Sequence, residues 1–499
     1  MLGLMNVLRE RGIFMKIRRI LSLLFCVMIL ASAISCSQTE EKFDLDYNSL
    51  SDGSDVDYEG RKFKYLFDPV MNWAVTASSD SFLGYSYNTN FADAAIKRVK
   101  DMESKYNCVF TVETRSGVHD YIKAPILSGA YVADIVSGIS DMIGDNCRLG
   151  TFVGISELSD YINLEDTYKW GESPFLETMY YKNDLYGLVP AAWPELTHIN
   201  FGYPIVFNGT IFGTYGISDP REYIENKEWT WDKFEEVVKS AHIQEGSEII
   251  HYGFMGASTV ISEMYLFSNG ASVISLDAEG NPYFSAYDPN GIKAMDACIR
   301  FYNETCKDYI SKRSATTLGH DEMARTFASG EASMAAIYTG YIYGRDAIVA
   351  QELYDFGILS WPHGPDVEPG YTFGVIENIY SAVAIPVTSP EPTYTAFLLN
   401  ELYEPLEGYE DRQAVQEYMT HNYFFDERDA SVFFAMYDNC IYNYYHWFGA
   451  GELVNYIGFN SATEYAQQHG EALETSFGNN VVPIIEAMVS MHGTYKGHD

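Results

Sequence analysis

The order of apolar patterns after residue 60 constrains the fold of this chain most strongly. Arg61–Phe67 alternates between polar and apolar residues, which predicts a β-strand. Apolar residues then recur at helical spacing within Asn90–Asn107. Cys108–Glu113 and Ala133–Val136 predict two further strands. A strand, a helix and a strand with short connections pair in parallel, so we expect an α/β domain. The apolar face of the helix consists of Phe91, Ala95, Val99, Met102 and Tyr106.

A second set of patterns begins near residue 186. Tyr186–Pro190 and Tyr203–Phe207 predict strands, and Thr230 is a candidate N-cap for the helix that follows it. Val273–Leu276 and Pro282–Ser285 predict two short strands around a turn. With 499 residues, the chain exceeds what one hydrophobic core covers, so we expect two or more domains.

The N-terminus has the pattern of an export signal. A basic patch in Met15–Ile20 precedes the apolar segment Ile20–Ile34 and several small residues. The apolar segment is shorter than the roughly 17–25 residues that span a bilayer as a helix. Residues 1–35 therefore read as a signal peptide. Cys36 follows it and resembles the lipidated cysteine of the bacterial lipoprotein lipobox, although an ordinary leader with a chance cysteine is the alternative.

Composition limits the partners and the chemistry. Residues 36–60 are rich in Ser, Asp and Glu and predict a disordered acidic tether. The net charge of −37 excludes nucleic acid and anionic headgroups as partners. The cysteines beyond the leader show neither zinc spacing nor a CxxC pair, so we expect buried free thiols and no metal. No GxSxG, HExxH, Walker loop or GxGxxG motif occurs, so we expect neither an enzyme nor a cofactor.

Seven short motifs, in order along the chain, resemble those of extracellular solute-binding protein family 1, the carbohydrate-type receptors of ABC importers. Tyr215–Pro220 followed by Trp229–Phe234 is the most specific of them. The others are Leu127–Gly129 with Ala133–Val136, Tyr186–Pro190, Phe207–Asn208, Asn269–Ala271 with Leu276–Gly280 and Phe284–Ser285, Phe327–Met334, and Phe356–Ile358 with Trp361–Pro365. The resemblance covers about Lys62–Ser389, and the part after Asn400 matches nothing that we can place.

The resemblance implies a two-lobed, periplasmic-binding-protein-like α/β fold of type II, with crossover segments as hinges. Lobe 1 would hold residues 61–194 plus 341–386, and lobe 2 residues 195–340 plus 387–499. The hinges would fall near Pro190–Val206, near Ile337–Tyr341 and after Ile385. A monomeric, lipid-anchored receptor would capture a small solute, in the first place an oligosaccharide, and deliver it to the permease subunits of an ABC importer in the membrane.

The resemblance implies that six residues lie at cleft-facing positions, and their types suit a sugar, whose faces and edges are held by aromatic rings and carboxylates. They are Trp73, Asp141, Trp193, Glu195, Tyr341 and Tyr343. Some have a structural alternative: Asp141 could cap a helix that begins at Met142, and Trp73 and Trp193 could belong to the core. Trp229, Trp231 and Trp361 are expected to be structural.

Two other functions are kept as alternatives. The 69 acidic residues guarantee chance carboxylate pairs of the kind that glycoside hydrolases use, so a surface glycan-degrading enzyme is one alternative. A receptor that passes its signal to a membrane sensor kinase is the other, because a closed receptor can dock on either kind of partner.

Overall fold

The computed structural model describes residues 56–69, 81–139, 146–147, 149–171, 173–176, 179–181, 184–196, 201–278, 282–306, 320–343, 347–376, 381–442 and 456–482. Its strands are β1 Arg61–Phe67, β2 Ser81–Phe82, β3 Tyr85–Ser86, β4 Cys108–Thr114, β5 Ile135–Ile139, β6 Tyr180–Tyr181, β7 Asp184–Leu185, β8 Ile205–Asn208, β9 Ile243–Glu245, β10 Glu248–His251, β11 Ile274–Leu276, β12 Pro282–Phe284, β13 Met334–Ala336, β14 Phe356–Leu359, β15 Gly374–Ile376, β16 Ser381–Ala384 and β17 Cys440–Tyr442.

Its α-helices are α1 Asn90–Tyr106, α2 Val118–Leu127, α3 Thr167–Trp170, α4 Ser173–Leu176, α5 Gly209–Tyr215, α6 Arg221–Glu225, α7 Trp231–Ser240, α8 Ser258–Ser268, α9 Pro289–Arg300, α10 His320–Ala328, α11 Thr339–Ile342, α12 Ile348–Glu352, α13 Pro392–Leu402, α14 Arg412–Tyr423, α15 Glu427–Asp438 and α16 Ala462–Ser476. A 3₁₀ turn forms at Ile155–Leu158, and π-helical turns form at Phe301–Cys306 and Phe477–Val481.

The first sheet has the strand order β16-β5-β1-β4. β1 pairs in parallel with β4 and with β5, whereas β16 pairs antiparallel with β5. The helix α1 connects β1 with β4, and the Thr89 side chain caps it by accepting a hydrogen bond from the Ala92 N–H at 3.2 Å. The five apolar residues predicted to face the core are all buried. The predicted parallel strand–helix–strand unit is therefore confirmed.

The second sheet has the order β13-β8-β14, and both outer strands run antiparallel to β8. A parallel bridge between Met255 and Ala335 extends this sheet beyond β13. The helix α7 begins where predicted, because the Thr230 hydroxyl accepts a hydrogen bond from the Lys233 N–H at 3.3 Å. The predicted hairpin is formed by β11 and β12.

Three crossover segments connect the two sheets. The first crossover, residues 189–204, runs from Leu188, which forms an antiparallel bridge to Val383 of β16, to the start of β8. The second crossover, residues 360–380, runs from the end of β14 to the start of β16. The third crossover, residues 403–428, follows α13. That helix packs on the α1 side of the first sheet, where the Tyr58 hydroxyl donates to the Tyr394 carbonyl at 3.1 Å.

These pairings differ from the expected lobe boundaries at two places. β14 was expected in lobe 1 as part of residues 341–386, but it pairs with β8 in the second sheet. The chain does not leave that sheet near Ile337–Tyr341, because it turns through α11 and α12 and returns along the free side of β8. The helix α13 was expected in lobe 2 and instead packs against α1. The other boundaries stay a prediction.

Two further expectations concern the thiols and the membrane. Cys108, Cys298 and Cys440 are free, buried thiols, as predicted, and Cys147 is buried as well. Burial raises the pKa of the Cys108 thiol to about 11. In the described part of the chain, no helix combines the length and the apolar character that crossing a bilayer requires.

Candidate functional site

The candidate site lies at the edges of the two sheets from which the crossovers depart. In the first sheet, β1, β4 and β5 end at one edge, and β16 begins there because Ser381 pairs with Ile139. In the second sheet, β13 and β14 end where β8 begins, since Ala336 and Leu359 both pair with Ile205. We call these the crossover edges. Ligands of open α/β sheets bind outside the carboxyl ends of the strands, which is where both crossover edges lie.

The first and second crossovers are tied to each other beside the second sheet. The Gly202 N–H donates to the Val375 carbonyl at 2.7 Å. The Thr339 hydroxyl, at the start of α11, donates to the Phe201 carbonyl at 2.6 Å and accepts from the Phe201 N–H at 3.1 Å. Gly202 has φ +46, and a Cβ atom there would lie 3.2 Å from the Val375 nitrogen. This close approach is one that glycine permits.

Trp193, at the start of the first crossover, packs against Tyr85 of the β2–β3 hairpin and against Tyr403, which follows α13. Its side chain is fully buried, with ring centroids 6.0 Å from Tyr85 and 4.9 Å from Tyr403. The indole N–H donates to the Glu404 carbonyl at 3.1 Å, and the Tyr85 hydroxyl donates to the Pro194 carbonyl at 2.6 Å. The sequence left ligand contact and core packing open for Trp193, and this environment is that of a core residue.

Glu195 is the next charged residue of the first crossover, and it is buried at 6% exposure. Its carboxylate accepts a hydrogen bond from the Tyr418 hydroxyl at 3.0 Å. Burial raises the pKa of Glu195 to about 7, although the hydrogen bond from Tyr418 opposes this rise. The backbone of Glu195 has φ +69, in the left-handed region that a residue with a side chain rarely adopts. A strained backbone of this kind is maintained where the contacts of the surrounding residues fix its conformation.

The structure separates Tyr341 from Tyr343. Tyr343 is 1% exposed and packs against Phe424 and Phe433, with ring centroids at 4.6 and 5.6 Å. Tyr341 is half-buried and therefore presents part of its ring to the outside. Its pKa is raised, first by burial and then by the negative charge of Asp321.

Trp73, Asp141 and Cys36 lie outside the described residues. In the sequence, Trp73 follows the end of β1 and Asp141 follows the end of β5. Both strands end at the crossover edge of the first sheet. Among the residues that the structure describes, no group of three or more His, Cys, Asp or Glu side chains could hold a metal ion.

The tryptophans that the sequence assigned to structure are structural. All three are buried, and each indole N–H is satisfied inside the protein. Trp229 donates to the Ser360 carbonyl at 2.8 Å, and Trp231 donates to the Ser268 hydroxyl at 2.9 Å. Trp361 donates to the Tyr203 carbonyl at 2.5 Å and so joins the first and second crossovers at the second sheet.

The sequence predicts a mostly helical C-terminal third, but it does not reveal the contacts that α14 and α15 make with the first crossover and with β14. Tyr418 of α14 contacts Glu195, and Asp429 of α15 accepts a hydrogen bond from the Ile358 N–H of β14 at 3.0 Å. The available signals were the N-cap residues Asp411 and Asp426, whose carboxylates accept from the first backbone N–H groups of these helices. They would have located the helices but not their partners.

A cavity of about 790 Å³ lies between α1, α3 and the helices α14 and α15. Its charged groups are already engaged: Arg98 donates to the Pro405 carbonyl at 2.6 Å, and Glu404 pairs with Lys169. Asp166 and Asp411 cap helices, and Arg412 pairs with Asp438. Because these groups are satisfied by the protein itself, the cavity presents few polar groups that could select a ligand.

A family model described as bacterial extracellular solute-binding protein matches residues 166–398. Residues 166–398 therefore match that family. The segment includes the first crossover, the whole second sheet and β16. The family comprises non-catalytic solute-binding proteins, so the prediction that the chain is not an enzyme is confirmed. No curated protein matches the sequence.

Solved structures of such receptors have a similar fold. The ABC substrate-binding protein Lmo0181 from Listeria monocytogenes, in complex with cycloalternan, matches with a TM-score of 0.56 and 12% identity over 84% of this chain and 99% of that one. A cyclo/maltodextrin-binding protein complexed with maltotetraose matches with a TM-score of 0.52 and 12% identity, covering 88% of this chain and 100% of that one. An ABC transporter solute-binding protein from Thermotoga lettingae, bound with α-D-tagatose, matches with a TM-score of 0.50 and 13% identity, covering 83% of this chain and 99% of that one. The predicted periplasmic-binding-protein-like fold is confirmed.

Proposed function

We propose that this solute-binding protein captures a sugar, in the first place an oligosaccharide, between two lobes and delivers it to an ABC importer. The observation that carries the proposal is the topology of the two sheets. The two sheets are separate, the chain passes between them through three crossovers, and in each sheet strands end at the side from which the crossovers depart. Two bodies joined by a few crossover segments are suited to hinge closure around a ligand.

The ligands named for the similar structures support a carbohydrate as the solute. They are cycloalternan, maltotetraose and α-D-tagatose. Sugars present apolar C–H faces to aromatic rings and hydroxyl groups to carboxylates. This chain is aromatic-rich, with 40 Tyr, 29 Phe and 7 Trp. Its 32 Lys and Arg against 69 Asp and Glu make it less suited to an anionic solute.

We assign the six candidate site residues to two roles. Trp73 and Asp141, which follow the strands that end at the crossover edge, would contact the solute together with the half-exposed Tyr341. The three buried candidates, Trp193, Glu195 and Tyr343, would not contact the solute and would stabilise the positions of the crossovers through their packing. For Trp193, Glu195 and Tyr343 this role follows from burial, because a side chain without accessible surface cannot stack on a sugar.

The same proposal includes an anchor on the outer face of a membrane. The basic and apolar segments before Cys36 support export and lipidation, and two or more acyl chains on one residue give stable anchoring. The acidic residues 36–60 would then separate the receptor from the bilayer. Cys36→Ser should move the protein from the membrane fraction to the soluble fraction after cell lysis. A variant that stays with the membrane would contradict the anchor.

Thermal unfolding with a sugar panel tests the function. The panel contains maltotetraose, cycloalternan and α-D-tagatose. A sugar at 100 times its dissociation constant adds about 2.7 kcal/mol to the free energy of unfolding. We expect at least one sugar to raise the melting temperature and to be recovered unchanged. No shift with any sugar of the panel contradicts a carbohydrate receptor of this type, and a cleaved sugar supports an enzyme.

Variants then test the site. Trp73→Ala and Asp141→Ala should each weaken the affinity for the shifting sugar at least tenfold. Phe425→Ala is the control, because Phe425 is 64% exposed and lies on the third crossover rather than at a crossover edge. If both site variants bind within twofold of the unchanged protein, the assignment of these residues is wrong while the receptor function stands.

A further inference from the structure

The carboxyl group of Glu195 is buried where two crossovers meet. Glu195 belongs to the first crossover, and its hydrogen-bond partner Tyr418 lies on α14 within the third. The two residues are 223 positions apart along the chain, so the contact exists only when both segments are in place. It is a point at which any rotation of one sheet against the other must be accommodated.

Among the residues that the structure describes, hydroxyl groups surround Glu195, and no cation acts on its pKa. The charge of Glu195 acts on three phenols, that of Tyr85 in β3 and those of Tyr409 and Tyr418 in the third crossover. The pKa of each phenol is raised, first by burial and then by the negative charge of Glu195. For Glu195 itself, burial and the hydrogen bond from Tyr418 are the two influences on its pKa. A buried carboxylate without a cation is unfavourable, so the neutral acid suits this position better.

The backbone holds the carboxyl group in this position. The preceding residues are fixed by the hydrogen bonds of Pro194 with Tyr85 and of Trp193 with Glu404. The left-handed backbone of Glu195 then directs the chain into the rest of the crossover.

We propose that Glu195 is a proton-controlled latch between the first and third crossovers. In its neutral form the carboxyl group stays buried between the two segments, beside Tyr418, because it carries no charge that requires hydration. When it releases its proton to water, the charged group favours hydration, and the contact loosens. The latch itself does not depend on the proposed function, whereas its effect on sugar capture does.

The direction of the pH dependence follows from the raised pKa. The usual pKa of a glutamic acid is 4.5, and in the folded chain that of Glu195 is about 7. The folded state therefore binds a proton that the unfolded state has lost between these two values. The stabilisation is fully present below pH 4.5 and is lost as the pH rises through about 7.

The test is thermal unfolding of the sugar-free chain between pH 5.5 and pH 8.5. We expect the melting temperature of the unchanged protein to fall by about 3 °C more than that of Glu195→Gln over this range. Glu235→Gln is the matched control, since Glu235 is also a partly buried glutamate with a hydroxyl partner, Thr305, but its pKa is lowered and it lies on α7. This control should keep the full pH dependence. A Glu195→Gln profile parallel to that of the unchanged protein overturns the proposal.

A second variant separates titration from simple packing. Tyr418→Phe removes the hydrogen bond that stabilises the charged carboxylate, so the pH midpoint of the transition should move upward. A purely structural role would lower the melting temperature equally at every pH, and that result would also overturn the latch. Small-angle scattering over the same range gives an independent readout: the radius of gyration should increase with pH in the unchanged protein and stay constant in Glu195→Gln.

The latch and the proposed function fail in distinguishable ways. Melting profiles without sugar test the latch alone. Maltotetraose, cycloalternan and α-D-tagatose test the receptor function at fixed pH. If one of them binds, its affinity should depend on pH in the unchanged protein and lose that dependence in Glu195→Gln. Sugar binding with the same pH dependence in both proteins would overturn the coupling of the latch to capture.

Discussion

Glu195 and Asp429 are both buried carboxyl groups that attach the C-terminal helices to the rest of the chain, but their surroundings differ. Asp429 of α15 is 2% exposed and pairs with Arg221 at 3.1 Å, while its other oxygen accepts from the Ile358 N–H. Arg221 is held in turn by Asp219 at 2.7 Å. Glu195 has a phenol in place of the arginine. One attachment is neutralised by a cation, and the other depends on a proton.

This difference matches what each attachment has to do. The ionic attachment fixes α15 to the second sheet, within one body, where a permanent contact is required. The attachment at Glu195 joins two crossovers, where relative movement is expected for a hinged receptor. Burial raises the pKa of Asp429 to about 6 even though Arg221 opposes the rise. The hydrogen bond from the Ile358 N–H and the charge of Arg221 both favour the ionised form of this carboxyl group.

The aromatic packing around Trp193 should be the strongest element on the Glu195 side. Trp193→Ala removes a fully buried indole and leaves the Glu404 carbonyl without its donor. Large-to-small changes of this kind cost about 3–5 kcal/mol, and we expect the upper end of that range in denaturant unfolding. Phe425→Ala, at a ring that is 64% exposed, should cost far less.

The same variant decides between the two interpretations of Trp193. If Trp193 contacts the solute instead of belonging to the core, Trp193→Ala should lower the free energy of unfolding by less than about 1 kcal/mol while sugar affinity falls. That outcome would move Trp193 into the binding site and remove it from the hinge.

Arg221→Ala should break the ionic attachment. It leaves the Asp429 carboxylate buried without its cation, and removing one partner of a buried pair costs about 3–5 kcal/mol. We expect about 4 kcal/mol at pH 8. The loss should be smaller at pH 5, because a neutral Asp429 needs no cation. Denaturant unfolding at the two pH values measures this difference, and an equal loss at both would contradict the role assigned to Arg221.

How much of this architecture the sequence predicts depends on how far apart two interacting residues lie along the chain. The unit of β1, α1 and β4 was predictable because its periodicity and its N-cap Thr89 are local signals. The position of β14 was not, since its partner β8 lies far away in the sequence and pairs antiparallel. Trp193 illustrates the same limit for the site. Its hydrogen-bond acceptor Glu404 is 211 positions away, and nothing in the local sequence indicates that contact.

Gly202→Ala tests how tightly the first and second crossovers must approach. The new Cβ atom would lie 3.2 Å from the Val375 nitrogen in a backbone with φ +46. We expect a loss of about 1–2 kcal/mol in the free energy of unfolding. Gly246→Ala is the control, because Gly246 has φ +64 but open space around the new atom. Equal losses for the two variants would show that backbone strain alone matters and that the contact with Val375 does not.

Arg428→Ala should have the smallest effect and separates the core of the ionic attachment from its rim. Arg428 is 37% exposed and pairs with Asp426 at 2.6 Å, close to Arg221 but outside the contact with Asp429. Ion pairs with this exposure contribute about 0–1 kcal/mol because water and salt screen them. We expect the loss to disappear in 1 M salt, whereas the loss in Arg221→Ala should largely remain. If Arg428→Ala lowers the free energy of unfolding as much as Arg221→Ala does, the charged residues act as one network. Asp429 would then be neutralised by the whole cluster and not by Arg221 alone, and the comparison with Glu195 would have to be made with that cluster.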